Sequence, residues 1–380
     1  MAGLGLLSPV IPDIVATFAT NTDQVALLVA WLATMYSSAQ FFSNPLLGAL
    51  SDRWGRKPIL LVSFLGSAIT YLAFGWAPAL WVLFAGRLVD GLTGANIGTS
   101  QAYIADITTP QERSRVMGLA GAALGMGFVA GPLIGFLLAR AGSPPSTPVF
   151  LAAGLALFSM ALAWRGLPES LPVERRVVTP IRFADLNPFA PLRLAFTRGP
   201  LRALVVAAFL TNFAMAGLRS HFALFAGAHL GFSLSQVYGV MGFLGVMMVV
   251  AQGGLVRRGV ERWGDFGTLL IGMVLSAIGF FGLSVVTGSG LVYVMVAILA
   301  LGVGLSTPTM ASLVSQRSAA DKQGAMLGSA QAAGALGQVI GPAWAGLMFV
   351  NVGPGYPFST GAAMVVAAVL VVLFSRSQRG

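Results

Sequence analysis

The sequence predicts an all-α membrane protein in which twelve transmembrane helices form two related six-helix halves. Of its 380 residues, 56% are hydrophobic and only 9% are charged, and the mean hydropathy is +0.84. Because a soluble domain carries about a quarter charged residues, most of this chain must be solvated by lipid. A charged Trp-Gly turn that occurs twice, once in each part of the chain, indicates that the two halves are copies of one unit.

Apolar runs follow one another along the whole chain, separated by short polar segments. A helix that crosses a bilayer needs roughly 20 mostly apolar residues. The runs comprise residues 1–18, 25–50, 59–77, 80–107, 116–139, 149–164, 201–228, 234–256, 266–287, 291–314, 325–350 and 356–374. Their number and length predict twelve crossings.

One long connection divides the runs into two sets of six. Residues 165–200 are rich in proline and arginine, which is typical of an extended linker. The sequence therefore predicts an N-terminal bundle over 1–164, a cytoplasmic linker over 165–200 and a C-terminal bundle over 201–380.

The basic residues lie almost entirely in alternate loops, which sets the expected orientation. Of the 22 lysines and arginines, all but Arg87, Arg140 and Arg219 fall in loops on one side or in the tail, if Arg202 at the start of the seventh run is counted with the linker. Such loops face the cytoplasm. We therefore expect both termini to be cytoplasmic, in the inner (plasma) membrane of a bacterial-type cell.

The first Trp-Gly turn lies between the second and third runs and concentrates charge. Asp52 can cap a helix or pair with Arg53, Arg56 or Lys57, and Gly55 tolerates a positive φ. The sequence Asp52-Arg-Trp-Gly returns later as Glu261-Arg262-Trp-Gly. This recurrence indicates duplication of a six-helix unit.

A glycine motif repeats at nearly the same spacing. Gly127, Gly131 and Pro132 correspond to Gly337, Gly341 and Pro342. Small residues four apart let helix backbones approach closely in lipid, and proline permits a bend. Each glycine can serve plain packing or a moving joint, and the recurrence favours a shared mechanical role.

Charges inside the apolar runs are costly and therefore informative. Arg87 and Asp90 are three residues apart in the fourth run and can share a helix face. They form either a functional pair at a cavity, with Asp90 carrying a proton, or a permanent structural salt bridge. Asp106, at the end of the same run, is expected to bind Arg113 or Arg115.

Other polar residues are candidates for a substrate cavity, although each can equally serve hydrogen bonding between helices. In the seventh run, Arg219 suits an anionic group, and His221 is expected near the outer mouth. The full set of cavity candidates is Tyr36, Gln40, Asn96, Gln101, Asn212, Arg219, Gln252, Gln331 and Gln338.

Composition excludes several other functions. The chain has no cysteine and two histidines, so no metal site or cofactor is expected. It has no P-loop and no metalloprotease motif, so we expect neither an ATP-hydrolysing site nor enzymatic activity. The net charge of +10 lies in short loops rather than in a basic stripe, so nucleic acid is not an expected partner.

Three motifs resemble those of one transporter family. The segment Gly48–Pro58 resembles the signature between the second and third helices of the major facilitator superfamily, and Arg87–Ala95 resembles its fourth-helix motif. Gly125–Gly135 resembles the fifth-helix motif of its proton-coupled antiporters. The segment Tyr103–Thr108, with the motifs on either side of it, is especially similar to the drug/proton antiporter branch that includes tetracycline exporters.

The resemblance implies two bundles that rock around a central cavity. It implies that Asp52 and Arg56 lock a cytoplasmic gate and that Arg87 takes part in proton coupling. We add Arg53 and Lys57 to the expected gate, together with Glu261 and Arg262 of the second turn, and Asp90 to the coupling pair. Gly127, Gly131, Pro132, Gly337, Gly341 and Pro342 are expected to serve interbundle motion.

The chain departs from the tetracycline exporters at positions important there. Their third-helix acid aligns with Thr70, their eighth-helix histidine with Met248 and their ninth-helix acid with Ser276. We therefore expect proton-coupled efflux of a small organic molecule other than tetracycline, by a monomer in the lipid bilayer. A uniporter or importer of a sugar or organic anion, or a transporter-like membrane receptor, remains the alternative.

Overall fold

The computed structural model describes residues 1–94, 96–177, 186–196, 199–318 and 323–377. Regular structure in these ranges is helical. The earlier helices are α1 (Ala2–Leu7), α2 (Ile11–Ala16), α3 (Thr22–Trp54), α4 (Arg56–Trp76), α5 (Leu80–Thr93), α6 (Asn96–Ile107), α7 (Pro110–Arg140) and α8 (Ser146–Gly166). The later ones are α9 (Ala190–Phe196), α10 (Gly199–Leu230), α11 (Leu234–Val250), α12 (Val256–Val285), α13 (Ser289–Gln316), α14 (Gln323–Asn351) and α15 (Tyr356–Ser377).

Nine helical stretches of the described chain are long and apolar enough to cross a membrane. One of them, Leu234–Val285, contains two predicted crossings, because Gly264 breaks it with φ 69° and ψ 171°. The chain reverses there: Gly259 lies against the Thr268 side chain, whereas a continuous helix would separate them by about 14 Å. The first predicted crossing comprises α1 and α2, and the fourth comprises α5 and α6. The all-α, twelve-helix prediction is therefore confirmed.

The outer surfaces of the helices are apolar, as lipid requires. Trp76, Trp81, Phe158 and Phe374 are each well over half exposed. A soluble protein does not leave so many large apolar side chains in water. The helices are therefore held by packing on their inner faces and by lipid on their outer faces.

Contact density divides the chain into two compact units. The first unit comprises Met1–Phe18 and Met35–Pro188, and the second comprises Ala19–Thr34 and Phe189–Gly380. Helix α3 thus contributes its first half to the second unit and its second half to the first. The predicted bounds 1–164, 165–200 and 201–380 stay a prediction.

The duplication is visible in the backbone of each unit. Gly55 separates α3 from α4 with φ 108° and ψ 162°, and Gly264 takes the same extended, positive-φ conformation. Only glycine adopts this region without strain. The Trp-Gly pair therefore encodes the same sharp helix-to-helix turn twice.

Candidate functional site

The first Trp-Gly turn is held by an arginine that binds two carboxylates at once. Arg56 Nη1 lies 2.5 Å from Asp52 Oδ1, and its Nε donates to Asp106 Oδ2 at 3.0 Å. Nη1 also donates to Ser51 Oγ at 2.9 Å. The Arg56 side chain is only 12% exposed, so these charge-assisted bonds are partly shielded from water.

The contacts described for Asp106 are with Arg56 and Ser170, and Arg113, one of its two expected partners, lies outside the described side chains. The Asp106 carboxylate accepts from Arg56 and, at 3.2 Å, from Ser170 Oγ. The end of α6 lies beside the start of α4, where the planar guanidinium reaches Asp52 and Asp106 together.

Glu169, which the sequence analysis missed, closes this network from the linker side. Its carboxylate accepts from the backbone N–H of Arg56 at 2.8 Å and from that of Lys57 at 3.3 Å. It thus caps the positive end of α4. Gly55 lies so close to Glu169 that any side chain there would collide with the carboxylate.

Lys57 and Arg53 differ in what they contact. Lys57 Nζ donates to the carbonyl oxygen of Trp164 at 2.7 Å, while Arg53 is exposed. Tyr103 of α6 donates its hydroxyl to the carbonyl of Pro168 at 2.9 Å. The start of the predicted linker is therefore fastened to α4 and α6 by several hydrogen bonds.

The second Trp-Gly turn also carries charged residues, but their side chains are exposed. Arg257 Nε lies 2.8 Å from Glu261 Oε1, but the two side chains are 87% and 60% exposed. The Arg262 guanidinium lies 5.6 Å from the Trp263 ring centroid. Exposed pairs of this kind contribute little to stability.

Arg87 and Asp90 form a buried pair in α5. Their Nη1 and Oδ2 atoms are 4.0 Å apart, and both side chains are about 5% exposed. Ser67 Oγ donates to Asp90 Oδ1 at 2.8 Å, and the guanidinium lies 4.9 Å from the Phe74 ring centroid. Among the described residues, Arg87 Nε and Asp90 Oδ2 have no hydrogen-bond partner. The pair is therefore incompletely satisfied.

Two cavity candidates on α3 adjoin this pair. The Tyr36 ring centroid lies 5.6 Å from the Arg87 guanidinium carbon. Gln40 Nε2 donates to Tyr36 Oη at 3.2 Å and to the carbonyl of Gly94, where α5 ends, at 2.9 Å. The structure thus brings Tyr36 and Gln40 of the second run together with Arg87 and Asp90 of the fourth. These four residues form one polar cluster, here called the α5 cluster.

The remaining cavity candidates are more scattered. Asn212 Oδ1 accepts from Gln338 Nε2 at 3.3 Å, which joins α10 to α14. The Asn96 side chain lies outside the described residues. The candidates whose side chains are exposed are Gln101, Arg219, Gln252 and Gln331.

The chain is similar to known proteins of one transporter family. The family model for the Major Facilitator Superfamily matches residues 1–342 and 260–380. The class C tetracycline resistance protein of Escherichia coli is 32% identical over 340 residues, covering 90% of this chain and 84% of that protein. The chain belongs to the Major Facilitator Superfamily.

Two further comparisons extend over nearly the whole chain. Multidrug resistance protein 2 of Bacillus subtilis (strain 168) is 27% identical over 378 residues, which cover 99% of this chain and 92% of that protein. A solved D-xylose-proton symporter superposes with a TM-score of 0.77 at 18% identity, covering 98% and 95% of the two chains. This protein is accordingly a multi-pass membrane transporter with the major facilitator fold, rather than an enzyme.

The repeated glycines of this superfamily member pack within their own units. Gly131 contacts α1 at Ala2 and Gly5, and a Cβ at Gly341 would crowd Phe213 and Ala216 of α10. Gly127 and Gly337 face the same two helices. These contacts are those of helix packing, and the predicted interbundle role of the glycines with Pro132 and Pro342 stays a prediction.

The His221 side chain is buried between helices rather than exposed at the membrane interface, where the sequence led us to expect it. Its side chain is fully buried, with Nδ1 2.8 Å from Ser220 Oγ and Nε2 3.2 Å from the carbonyl oxygen of Ala26. A lone histidine in an apolar run gives no sign of which helix covers it. Its burial could be found only from the fold.

Proposed function

We propose that this transporter exports a small, partly apolar organic molecule in exchange for protons, by alternating access. The observation that carries the proposal is the buried Arg87–Asp90 pair, in which one carboxylate oxygen has no hydrogen-bond partner among the residues that the structure describes. A charge held inside a membrane protein at such cost is expected to work in transport. The relatives named for tetracycline and multidrug resistance support export as its direction.

Asp90 is the proposed proton carrier. When it is ionised, Arg87 attracts it across 4.0 Å. When it is protonated, this attraction is lost and the carboxylic acid gains a hydrogen-bond donor. Binding and release of one proton therefore switch the contacts of α5, and the α5 cluster is the proposed place where this switch meets the substrate.

The proposed cytoplasmic gate is the network around the first Trp-Gly turn. Arg56 holds Asp52 and Asp106, and Glu169 adds a further carboxylate. Arg53 and Lys57, with Glu261 and Arg262 of the second turn, complete the proposed gate. We also propose that both termini are cytoplasmic and that the protein acts as a monomer in a bacterial-type inner membrane.

The substrate is proposed to differ from tetracycline. Thr70 is buried and donates to the carbonyl of Gly86 at 2.7 Å. Ser276 is buried as well and donates to the carbonyl of Gly272 at 2.9 Å. Both hydroxyls are engaged by helix backbone, so neither replaces the acid found at the aligned position in the tetracycline exporters.

The test is transport by Asp90→Asn in proteoliposomes. We expect the variant to lose transport driven by a pH gradient while retaining downhill exchange of substrate, because asparagine cannot bind and release the proton. Asp23→Asn, at an exposed position at the start of α3, is the control and is expected to behave as wild type. Unaltered gradient-driven transport in Asp90→Asn would exclude Asp90 as the carrier. Wild-type transport that ignores a pH jump would favour a uniporter.

A further inference from the structure

A buried histidine lies where three helices of the second unit meet. His221 of α10 is fully shielded, and it contacts Ala26 of α3 and Gly346 of α14. The mechanism proposed above makes no use of it. Burying an imidazole among apolar side chains requires that both ring nitrogens be hydrogen-bonded.

The hydrogen bonds of His221 define which nitrogen carries the proton. The carbonyl of Ala26 can only accept, so Nε2 donates to it, at 3.2 Å. Nδ1 of the neutral ring then accepts from the Ser220 hydroxyl at 2.8 Å. The bond to Ala26 joins residues far apart in sequence and ties α3 to α10.

The helix surfaces of α3 and α14 beside this hydrogen bond carry small side chains. A Cβ built on Gly346 would lie 2.5 Å from the Ala30 Cβ and 3.4 Å from both His221 Nε2 and the Ala26 oxygen. The His221 ring packs on Phe349, with ring centroids 6.0 Å apart. Since alanine and glycine do not interdigitate, these helices can separate without dragging large side chains through one another.

The first half of α3 is the segment that this bond holds. Residues 19–34 belong to the second unit, although the rest of α3 belongs to the first. Ala26 lies near the start of α3, at the opposite end of the helix from the Asp52 turn. Because α3 is one continuous helix that belongs to both units, separate movement of the units requires either that α3 bend near residue 34 or that residues 19–34 leave α10 and α14.

We propose that His221 is a latch residue, whose hydrogen bond to the Ala26 carbonyl holds the first half of α3 on α10 and α14 in one transport state and is released in the other. It would form the gate at the membrane side opposite the Asp52 turn. This proposal rests on the alternating-access function, but its test reads conformation rather than transport.

The test exploits the absence of cysteine from the chain. Val29, one turn beyond Ala26, is buried, and Val29→Cys removes volume rather than adding it. In purified protein in detergent micelles, a water-soluble maleimide should label this cysteine slowly while the latch is closed. Asp23→Cys, exposed at the start of α3, is the control for reagent access.

Two substitutions separate the hydrogen bond from the ring. His221→Phe keeps an aromatic ring against Phe349 but removes the donor, and His221→Gln keeps an amide donor but removes the ring. Because one hydrogen bond is lost, His221→Phe should raise the labelling rate at Val29→Cys about fivefold. His221→Gln should stay near the wild-type rate, and neither should alter labelling at Asp23→Cys.

A third variant is expected to open the latch while His221 itself is kept. Gly346→Ala inserts a methyl group against Ala30 and should also raise labelling. Gly328→Ala, in the same helix but with open space around it, should not. If His221→Phe fails to fold, as judged by size-exclusion chromatography, the Gly346→Ala and Gly328→Ala pair carries the test.

The outcomes distinguish the latch from the transport proposal. Faster labelling in His221→Phe and Gly346→Ala, but not in His221→Gln or Gly328→Ala, supports the latch even if no tested drug is exported. Equal labelling in His221→Phe and wild type, or equal acceleration by His221→Phe and His221→Gln, overturns it. If the protein exports substrate in exchange for protons but the substitutions leave its labelling rate unchanged, the transport proposal stands and the latch proposal is overturned.

Discussion

The two Trp-Gly turns have the same backbone but different surroundings. Gly55 and Gly264 both adopt a positive φ at the junction between two helical segments. Around the first turn, Arg56 is almost buried between Asp52 and Asp106. Around the second, the Arg257–Glu261 pair is open to water. The duplicated sequence thus specifies the turn twice, while in the described part of the chain the second turn has an exposed ion pair and a hydrogen bond from Gln316 to Asp265 in place of the Arg56 network.

This difference separates what the turn itself requires from what its surroundings add. A positive-φ glycine is required wherever the chain must turn so sharply. Ionic contacts depend instead on what the rest of the unit brings to the turn, here α6 and the segment after α8. We therefore expect equivalent substitutions in the two turns to have unequal effects.

The largest difference is expected between Gly55→Ala and Gly264→Ala. Alanine is strained at either position, by about 1–3 kcal/mol. At Gly55 the new methyl group also collides with Glu169, whereas Gly264 has open space around it. Gly55→Ala should therefore lower the thermal unfolding midpoint in detergent clearly more than Gly264→Ala does. Equal unfolding midpoints would mean that the contact between position 55 and Glu169 does not affect stability.

A smaller difference is expected between Arg56→Gln and Arg257→Gln. Glutamine at 56 breaks charged hydrogen bonds to two carboxylates, at a cost of about 2 kcal/mol. Removing the exposed pair at 257 should cost at most about 0.5 kcal/mol. We expect transport to fall at least tenfold in the first variant and to change less than twofold in the second. Similar losses in both would remove the asymmetry between the turns.

The smallest effect is expected for Glu169→Gln. The amide still accepts hydrogen bonds at the start of α4 but loses its charge there, a loss of about 1 kcal/mol. Glu174→Gln, at an exposed position in the same linker, is the matched control and should have the stability and transport of wild type. A Glu169→Gln protein with the wild-type unfolding midpoint would contradict the proposed cap.

The fold followed from the sequence because its signals are local. Apolar run lengths predicted the helices, and the repeated Trp-Gly pair predicted the sharp turns at Gly55 and Gly264. The Arg87–Asp90 pair was also predictable, because a spacing of three places both side chains on one helix face.

The partners of the site residues were not predictable in the same way. Glu169 binds a helix start more than a hundred positions earlier, and Asp106 binds Arg56, which lies 50 positions before it. His221 is buried by residues of α3 and α14. Such contacts depend on which helices are neighbours, and helix periodicity within one run carries no information about that.

The most direct test of proton coupling is the release of protons when substrate binds to purified protein in weakly buffered detergent solution, measured with a pH-sensitive dye. Linkage requires that a substrate competing with the proton on Asp90 expel that proton on binding. We predict that the wild-type protein releases protons on binding and that Asp90→Asn binds substrate without releasing any. Proton release by Asp90→Asn equal to that of the wild type would contradict the account.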